Sequence, residues 1–444
     1  MLQVLYLVHD LSDPAVRRRV VMLRAGGAAV TLAGFRRSRE RVLEVAGVSP
    51  IDLGKTGDGR FAQRMAAVAR AALTLKASLK GAAKPDVIIG RNLEMLALAN
   101  RARAIFSEVP ASDRRELKGG AEDIPIVYEC LDIHRLLLRQ DAAGRALRSV
   151  ERALGRNASL LITSSPAFVR NYFERFGQVA APVELVENKV LELTPGSLLP
   201  PCGEGARVSG RMGVETFTPR SPAEAHASPP PSVCSADTFP ARGKESVGAS
   251  PLKIGWFGAL RCRRSLALLS EFSRRMEGRV EIILRGRPAY TEFDDFDAHV
   301  AVEPYMQFLG PYRNPEDLPG IYGEVHFTWA IDFFEEGLNS SWLLPNRLYE
   351  GCRYHCVPIA MEGTETARFL KRLGIGFTLA RPDADELARL FGALDAERYE
   401  QARARVAAQD SSTWICNEDD CRALVGRLST LLPVRERVVL PAAA

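Results

Sequence analysis

Arg347 and Glu350 lie three residues apart in the segment LLPNRLYEG. Pro345 ends any preceding regular element, and the residues after it can begin a helix, so the two charged side chains fall on one helical face. A guanidinium group there can bind a phosphate oxygen, and a carboxylate can accept hydrogen bonds from the paired hydroxyls of a ribose. A solvent-exposed Arg–Glu pair has the same spacing, and for this segment alone the simpler interpretation is favoured.

A second segment with similar chemistry, GWFGALRCRRSL, lies earlier in the chain. Gly258 ends an apolar run, and Arg261, Arg263 and Arg264 precede a predicted helix. Glycine lets a ligand approach the backbone closely, and a helix N-terminus with guanidinium groups favours a phosphate or diphosphate. The alternative is an ordinary strand–turn–helix connection with solvated arginines, since neither GxGxxG nor P-loop spacing is present.

The first half of the chain contains Asp132 and His134 in the segment VYECLDIHRLL, just after an apolar run. Open parallel sheets bind ligands beyond the carboxyl ends of their strands. A carboxylate there can contact a substrate, and an imidazole can serve as a general base near neutral pH. A His in this position can equally be a hydrogen-bonded structural residue, so both interpretations stay open.

Two further loops of the first half present polar side chains after predicted strands. Asp13 lies in HDLSDPAVRRRV, and Arg91 with Asn92 lies in IIGRNLEML. These residues are candidates for the side of the site that receives an acceptor. Polar residues are also frequent in such loops without binding anything, and Asp13 can serve a helix end.

Apolar runs that alternate with amphipathic segments predict the elements that must position these residues. This alternation is typical of βαβ units and parallel sheets. The first half has predicted helices at 15–25, 59–80 and 93–107, and strands at 3–8, 29–35, 86–90, 125–131, 159–165 and 183–188. The second half has predicted strands at 252–258, 280–286, 306–312, 324–330, 356–361 and 374–380.

The alternating pattern on either side of a stretch without periodicity predicts two α/β domains. Each is a doubly wound, Rossmann-like sheet, and the two face each other across a cleft. Residues 1–192 form the first domain and residues 251–444 the second. Between them, residues 193–250 are rich in Pro, Gly, Ser and Ala and lack periodicity. Such a composition buries too little apolar surface to offset the entropy of ordering, so we expect a disordered linker.

Composition narrows the classes of function. The chain has 444 residues, of which 46% are hydrophobic and 25% charged, as in folded proteins that are soluble in water. The net charge of +5 is too small to indicate a polyanion-binding surface, so nucleic acid is not an expected partner. The apolar start is too short for a signal peptide, and no window has the roughly 18 apolar residues that span a bilayer.

The eight cysteines give no pattern typical of a metal site or a disulfide framework. We therefore expect reduced thiols, no bound metal and a cytoplasmic protein. Residues 60–84 form a basic amphipathic segment without an acidic residue. This segment can lie on an anionic membrane, as a peripheral contact with the inner membrane, or pack as a core helix; its Ala-rich apolar face favours packing.

Taken together, five segments resemble the GT-B glycosyltransferases of group 1, family GT4, notably those that build bacterial exopolysaccharides. The resemblance rests on VELVENKV, GWFGALR, FLGPYRNPEDLPGIYGEVHFTWA, EEGLN and LLPNRLYEGCRYHCVPIA, which cover both predicted domains. It implies transfer of a sugar from a nucleotide-diphosphate donor in the cleft, with retention of anomeric configuration. It also implies that neither a metal nor another cofactor takes part.

The resemblance assigns roles by position. Arg261 and Arg347 match basic residues beside the donor diphosphate, and Glu350 matches the second Glu of the family's Glu–seven residues–Glu motif, expected at the ribose. Gly258 and Asn346 complete the predicted donor site. The first Glu should stand at position 342, which is Trp342 here. The nearest candidate for that carboxylate is Glu336, followed by Gly337.

The sequence therefore predicts a glycosyltransferase that uses a nucleotide-sugar donor and a glycan or lipid-linked acceptor. Asp132 and His134 are the predicted catalytic residues. A nucleotide-sugar epimerase of the same fold is one alternative. A non-catalytic protein that binds glycans or partners is another, because Trp342 replaces a motif carboxylate.

Overall fold

A computed structural model describes residues 1–57, 61–108, 124–194 and 250–433 of the chain. The first half contains a seven-stranded parallel sheet with strand order β3-β2-β1-β4-β5-β6-β7. Strand order reverses between β1 and β4, which is where doubly wound sheets bind their ligands. The strands in this half, with β8 belonging to a separate small sheet, are β1 Gln3–Val8, β2 Ala29–Arg36, β3 Ile51–Lys55, β4 Val87–Arg91, β5 Ile126–Glu129, β6 Ala158–Thr163, β7 Val183–Leu185 and β8 Val190–Leu191.

Helices cover both faces of this sheet, which explains why its central strands are continuous apolar runs. The helices are α1 Pro14–Ala25, α2 Phe61–Ser78, α3 Asn92–Ser107, α4 Arg135–Leu138, α5 Ala142–Gly155 and α6 Pro166–Phe168, which continues as a π-helical turn over Val169–Glu174. In α2, the buried residues Val68, Ala71 and Leu75 recur at helical spacing and join the core. The basic helix therefore packs on the sheet, as its composition favours.

The second half contains a six-stranded parallel sheet with strand order β11-β10-β9-β12-β13-β14. Its order reverses between β9 and β12, so this sheet also has its ligand-binding position beside its first strand. The strands are β9 Leu252–Leu260, β10 Val280–Pro288, β11 Met306–Phe308, β12 Phe327–Trp329, β13 Val357–Met361 and β14 Phe377–Leu379. The predicted α/β architecture with two parallel sheets is confirmed.

The helices of the second half alternate with these strands. They are α7 Arg263–Arg275, α8 Phe296–Ala301, α9 Leu318–Gly323, α10 Asn339–Trp342, α11 Asn346–Arg353, α12 Glu365–Leu373, α13 Ala384–Gly392, α14 Ala396–Ala407 and α15 Glu418–Ser429, with 3-10 turns at Tyr290–Glu292 and Ser411–Thr413. None of the helices in the described ranges is long and apolar enough to cross a bilayer.

The end of the second half returns to the first sheet. Strand β15 (Ile415–Cys416) pairs with β8, and α15 packs against α1. Leu424 and Leu428 of α15 share a core with residues of β1. The contact is close, because a Cβ at Gly26 would lie 2.2 Å from the carbonyl oxygen of Cys421. The sequence assigns all of 251–444 to the second domain; the structure instead packs its last strand and helix against the first.

The predicted strands and helices correspond to observed ones, with ends that differ by a few residues. The largest difference is at 306–312, where the strand covers only Met306–Phe308, because Gly310 adopts a φ of 75° that a strand does not use. The predicted linker at 193–250 lies almost wholly outside the described residues.

Candidate active site

The carboxyl ends of the central strands of both sheets meet at one cleft. Asp132 follows β5 of the first sheet, and Arg261 follows β9 of the second. The positive charge of Arg261 acts on the Asp132 carboxyl group and opposes the rise of its pKa. Residues from both predicted halves of the site therefore lie close enough to interact.

The side chain of Asp132 reaches solvent, but residues of both halves of the chain surround it in the cleft. This surrounding protein raises the pKa of Asp132 to about 6, against an ordinary value of 3.8. Arg261 and Arg91 act in the opposite direction, while the negative charges of Glu335 and Asp13 add to the rise. A carboxyl group that titrates near neutral pH suits a general base.

His134 lies at the start of α4, where it caps the helix. Its Nδ1 accepts a hydrogen bond from the backbone N–H of Leu136 at 3.3 Å. Burial, with the nearby charge of Arg64, lowers the pKa of His134, so the ring is neutral at pH 7 and its proton is on Nε2. In this tautomer the nitrogen that could accept a proton, Nδ1, already accepts the N–H of Leu136. The hydrogen bond to Leu136 competes with the predicted role of His134 as a base, which stays a prediction.

Beneath the cleft, charged side chains of the first sheet form a buried network around Glu129. Arg19 Nε donates to Glu129 Oε1 at 2.5 Å, and the hydroxyl of Tyr6 donates to Oε2. Arg91 lies 3.7 Å from the same carboxylate, donates to the Tyr6 hydroxyl at 3.2 Å and pairs with Asp13 at 3.3 Å. Burial would raise the pKa of Glu129, but Arg19, Arg91 and Tyr6 together lower it.

The network changes the interpretation of the predicted acceptor-side residues. Arg91 is 4% exposed and bound to Tyr6 and Asp13, so it supports the floor of the cleft. Asp13 also caps α1 by accepting from the N–H of Ala15 at 2.9 Å. Asn92 differs from both, because its φ is 69°, a conformation that is costly for a residue other than glycine. Its side chain lies 3.3 Å from His9 Nδ1, above β4.

On the donor side, Glu350 is buried below two aromatic rings. Its Oε1 accepts a hydrogen bond from Asn314 Nδ2 at 2.7 Å, and its Oε2 accepts from the Tyr322 hydroxyl at 2.9 Å. Burial raises the pKa of Glu350, and these two hydrogen bonds oppose the rise. Each carboxylate oxygen keeps a second lone pair with which it can accept a ligand hydroxyl.

Gly258 lies in the same region and leaves room in it. Its φ is 105°, and a Cβ at this position would point toward the Tyr312 hydroxyl at 3.9 Å. The charge of Glu350 contributes to the raised pKa of Tyr312. The predicted donor residues Gly258 and Glu350 therefore both lie near Tyr312.

Arg347 is buried and supports the loop that follows β12. Its Nε donates to the carbonyl of Trp329 at 2.7 Å, and Nη2 donates to that of Ile331 at 2.8 Å. Within the described part of the chain, Nη1 has no hydrogen-bond partner, and it remains available to an anion. The alternative of an exposed Arg347–Glu350 pair is wrong, because both side chains are buried and bind other groups.

Arg261 lies at the edge of the cleft with part of its guanidinium exposed. Nη2 pairs with Asp332 at 3.3 Å, and the group lies over the Phe334 ring at 4.8 Å from its centroid. An aromatic face and one long ion pair hold the guanidinium without using all of its N–H groups. Asn346 is exposed in the first turn of α11.

Two adjacent carboxylates, Glu335 and Glu336, have different surroundings. Glu336, the predicted replacement for the first motif carboxylate, is exposed, forms an ion pair with Arg264 and lines the pocket described below. Glu335 accepts from Asn339 Nδ2 at 2.6 Å, and its charge acts on Asp132. In the structure Glu335, which the sequence analysis did not select, therefore lies on the side of the reaction centre.

Trp342 occupies the position of the missing motif Glu and packs against the first half of the chain. Its ring makes an edge contact with Phe168 at 6.5 Å between centroids, and its carbonyl accepts from Ser165 Oγ at 2.5 Å. On the same side, Arg170 pairs with Glu365 at 2.5 Å. The substitution exchanges a polar group of the site for a contact between the two halves.

A pocket of about 230 Å³ lies between this segment and the ends of β12 and β13. Its polar lining residues include Asp332, the predicted donor residue Glu336, Ser340, Glu362 and Thr364. Hydroxyl and carboxylate groups at this density can bind the hydroxyls of a sugar. The pocket lies beside Arg347's loop, so a sugar in it would be next to a bound diphosphate.

The comparison with known proteins decides the family. The chain is 55% identical to succinoglycan biosynthesis protein ExoL of Rhizobium meliloti over 431 residues, which are 97% of this chain and 94% of ExoL. The chain belongs to the ExoL family. No family model matches it.

Solved structures show the fold of this ExoL relative. HepE of Anabaena, in complex with UDP and glucose, has a TM-score of 0.59 at 14% identity and covers 97% of this chain and 100% of its own. Sucrose-phosphate synthase of Thermosynechococcus elongatus has a TM-score of 0.61 at 12% identity, with coverage of 97% and 99%. The ExoL relative has the GT-B fold.

Sequence reasoning missed three residues of the candidate site: Asp332, Glu335 and Asn339. Asp332 follows the short strand β12, and its position after a strand end is the signal that could have selected it. Glu335 and Asn339 gave no such signal, because their roles depend on a contact between halves that are far apart in sequence. Among the described residues, no group of three or more His, Cys, Asp or Glu side chains is arranged to hold a metal ion.

Proposed function

We propose that this glycosyltransferase transfers a hexose from a nucleotide-diphosphate-sugar to a glycan or lipid-linked acceptor in exopolysaccharide biosynthesis. The observation that carries the proposal is the meeting of Asp132 and Arg261, from different sheets, in one cleft. The name of ExoL supports the pathway class. HepE, whose structures contain UDP, glucose or UDP-glucose, supports the donor class.

Arg261 and Arg347 stabilise the leaving diphosphate in this proposal. Negative charge develops on the diphosphate as the bond to the sugar breaks, and fixed guanidinium groups in a cleft are effective against such charge. Arg261 has exposed N–H groups, and Arg347 has a free Nη1. These cations supply the role for which other enzymes use a metal, so we propose that transfer persists in the presence of EDTA.

Asp132 faces the acceptor. Its pKa of about 6 leaves it ionised at neutral pH, where it can accept the proton of the attacking hydroxyl. In this proposal His134 faces the transferred sugar or the acceptor, and Glu350 accepts from the nucleotide ribose. We propose that the anomeric configuration is retained, as in the group that the sequence resembles, and proton NMR of the product anomer tests this.

A thermal-shift panel of UDP-, GDP- and ADP-sugars tests the donor class. We expect one nucleotide series to stabilise the wild type, since a ligand at a hundredfold excess over its Kd contributes about 2.7 kcal/mol. Arg347→Ala should lose most of this shift. Arg353→Ala is a matched control in the same helix, because Arg353 pairs with Glu192 instead, and it should keep the shift.

Incubation with a labelled nucleotide-sugar separates the proposal from its alternatives. Recovery of an epimer of the intact donor would show a nucleotide-sugar epimerase. Absence of any stabilisation by the whole panel would favour a non-catalytic protein that binds glycans or partners. Transfer of label to a lipid or glycan fraction supports the proposed function.

We also propose a peripheral contact with an anionic membrane through the outer face of α2, which would bring a lipid-linked acceptor to the cleft. Leu73 is 84% exposed on this face, and Arg70 and Lys80 are exposed beside it, while Lys76 pairs with Glu108. Basic residues around an apolar side chain favour such a surface. Leu73→Glu should reduce co-sedimentation with vesicles that contain phosphatidylglycerol, and unchanged sedimentation would contradict the contact.

A further inference from the structure

A single asparagine joins the two halves of the molecule at the reaction centre. Asn339, in α10, is 6% exposed. Its Nδ2 donates to the carbonyl of Ile133 at 2.7 Å, and its Oδ1 accepts from the N–H of Ile133 at 3.0 Å. One carboxamide thus satisfies both backbone groups of the residue that lies between Asp132 and His134.

The orientation of this carboxamide is fixed by a third hydrogen bond. Asn339 Nδ2 also donates to Glu335 Oε2 at 2.6 Å. A carboxylate only accepts, so the nitrogen must face Glu335 and the oxygen must face the N–H of Ile133. Asn339 therefore connects a carboxylate of the second half to the loop that carries the predicted base of the first half.

The loop depends on this contact for its polar groups. Ile133 is buried, and a buried backbone N–H or C=O without a partner costs about 1–3 kcal/mol. Helix α10 is held against the first half by the Trp342 contacts with Ser165 and Phe168. The packing of α10 against the first half and the position of the Asp132 loop therefore depend on each other.

Another asparagine that crosses between the halves shows what an ordinary interface contact looks like. Asn188 Nδ2 donates to the carbonyl of Leu344 at 3.0 Å. This single hydrogen bond involves neither Asp132 nor His134. The two asparagines therefore separate the effect of holding the halves together from the effect of holding the catalytic loop.

We propose that Asn339 is a positioning residue that links closure of the two halves to the orientation of Asp132. In this role it acts through the backbone of Ile133 and does not touch the substrate. The inference rests on the proposed glycosyl transfer.

Kinetics of Asn339→Ala, Asn339→Asp and Asn188→Ala test this role. UDP-glucose is the donor probe, and release of UDP is measured with a lipid extract that supports turnover by the wild type. Asn339→Ala should lower kcat by about 100-fold, as a displacement near 1 Å does, while KM for UDP-glucose changes less than about threefold. The donor residues on the second sheet are unchanged, which is why KM is expected to hold.

Asn339→Asp keeps an acceptor for the N–H of Ile133 but loses both donated hydrogen bonds and adds a charge beside Glu335. Its kcat should fall at least as far as that of the Ala variant. The acidic limb of the pH profile should move to lower pH in Asn339→Ala, because a loosened loop gives Asp132 more solvent. Asn188→Ala should change neither kcat by more than about threefold nor the pH profile.

Hydrogen exchange provides a readout that needs no turnover. The amide of Ile133 should lose protection in both Asn339 variants and keep it in Asn188→Ala. Equal kcat losses in the Asn339→Ala and Asn188→Ala variants, or an Ile133 amide that stays protected, would overturn the proposal. If the wild type turned over no nucleotide-sugar, the proposed function would fail, while exchange at Ile133 would still decide whether Asn339 holds the loop.

Discussion

The two sides of the cleft differ in whether their buried charges form ion pairs. Below the first sheet's strand ends, Glu129 pairs with Arg19, and Arg91 lies between Glu129 and Asp13, so two positive charges face two negative ones. Below the second sheet's strand ends, Arg347 binds two carbonyl oxygens and forms no ion pair within the described residues. On the acceptor side, Asp132 is a carboxyl group that titrates near neutral pH. On the donor side, Arg347 offers its positive charge to a diphosphate.

Glu129→Ala should have the largest effect, because it breaks the balance on the acceptor side. The variant leaves the buried guanidinium of Arg19 without its counter-charge, while Arg91 keeps Asp13, and breaking a buried pair in this way typically costs about 3–5 kcal/mol. We expect a loss of that size in the free energy of unfolding at pH 7, measured by urea denaturation of the transition that involves the first sheet.

The pH dependence of this loss checks its cause. The pKa of Glu129 is lowered in the folded state, so its contribution is present above the unfolded value of 4.5 and is lost as the pH falls through the folded pKa. The difference between variant and wild type should therefore shrink in acid. A loss below about 1 kcal/mol at pH 7 would show that the network does not need its carboxylate.

Asp132→Asn should have the next largest effect, this time on catalysis. Removal of the proposed base should lower kcat by about 100-fold or more. Wild-type activity should decline below pH 6 as Asp132 becomes protonated, and this acidic limb should be absent in the variant. A pH profile of kcat for both proteins measures the effect, and an unchanged limb in the variant would assign it to another group.

Asp132→Asn, which should lower kcat, should also raise the stability of the folded protein at neutral pH. The pKa of Asp132 is raised to about 6 in the folded state, so the folded state binds more protons than the unfolded state between about pH 4 and 6. Stability contributed by this group therefore falls as the pH rises through that window. Asp132→Asn should raise Tm at pH 7.5 more than at pH 4.5.

The sequence alone predicted the α/β fold and several residues that lie at the cleft, but it did not predict the partners of those residues. Apolar runs indicated the central strands, because strands covered on both faces must be apolar along their length. The position of Asp132 and Arg261 after such runs placed them at strand ends. Periodicity says nothing about which far-apart segments touch, so the pairing of Asn339 with Ile133 could not be predicted.

Sequence reasoning also failed to predict which polar and charged side chains already have partners within the fold. Arg91 and Asp13 are both charged residues in loops, and nothing in their neighbours along the chain shows that they pair with each other. His134 was expected to act as a base because imidazole titrates near pH 7, but its place at the start of α4 commits Nδ1 to a backbone N–H. Local hydrogen bonds of this kind depend on backbone conformation, which a residue type alone does not reveal.

The smallest expected effect separates two adjacent carboxylates on the donor side. The negative charge of Glu335 adds to the raised pKa of Asp132, whereas Glu336 pairs with Arg264 at the surface. Glu335→Gln keeps an acceptor for Asn339 but removes the charge, so the pKa of Asp132 should fall and the acidic limb should move to lower pH. Glu336→Gln, with the same change one residue later, should leave the limb in place.

The pH profiles of these two variants compare one side of the cleft with the other directly. A shift in Glu335→Gln alone would show that a charge of the second half sets the titration of a carboxyl group in the first. Equal shifts in both variants would mean that the field is diffuse and that the exposed Glu336 acts on Asp132 as strongly as Glu335. Surface ion pairs contribute about 0–1 kcal/mol, so stability should not differ measurably between the two variants, and the contrast rests on electrostatics across the cleft.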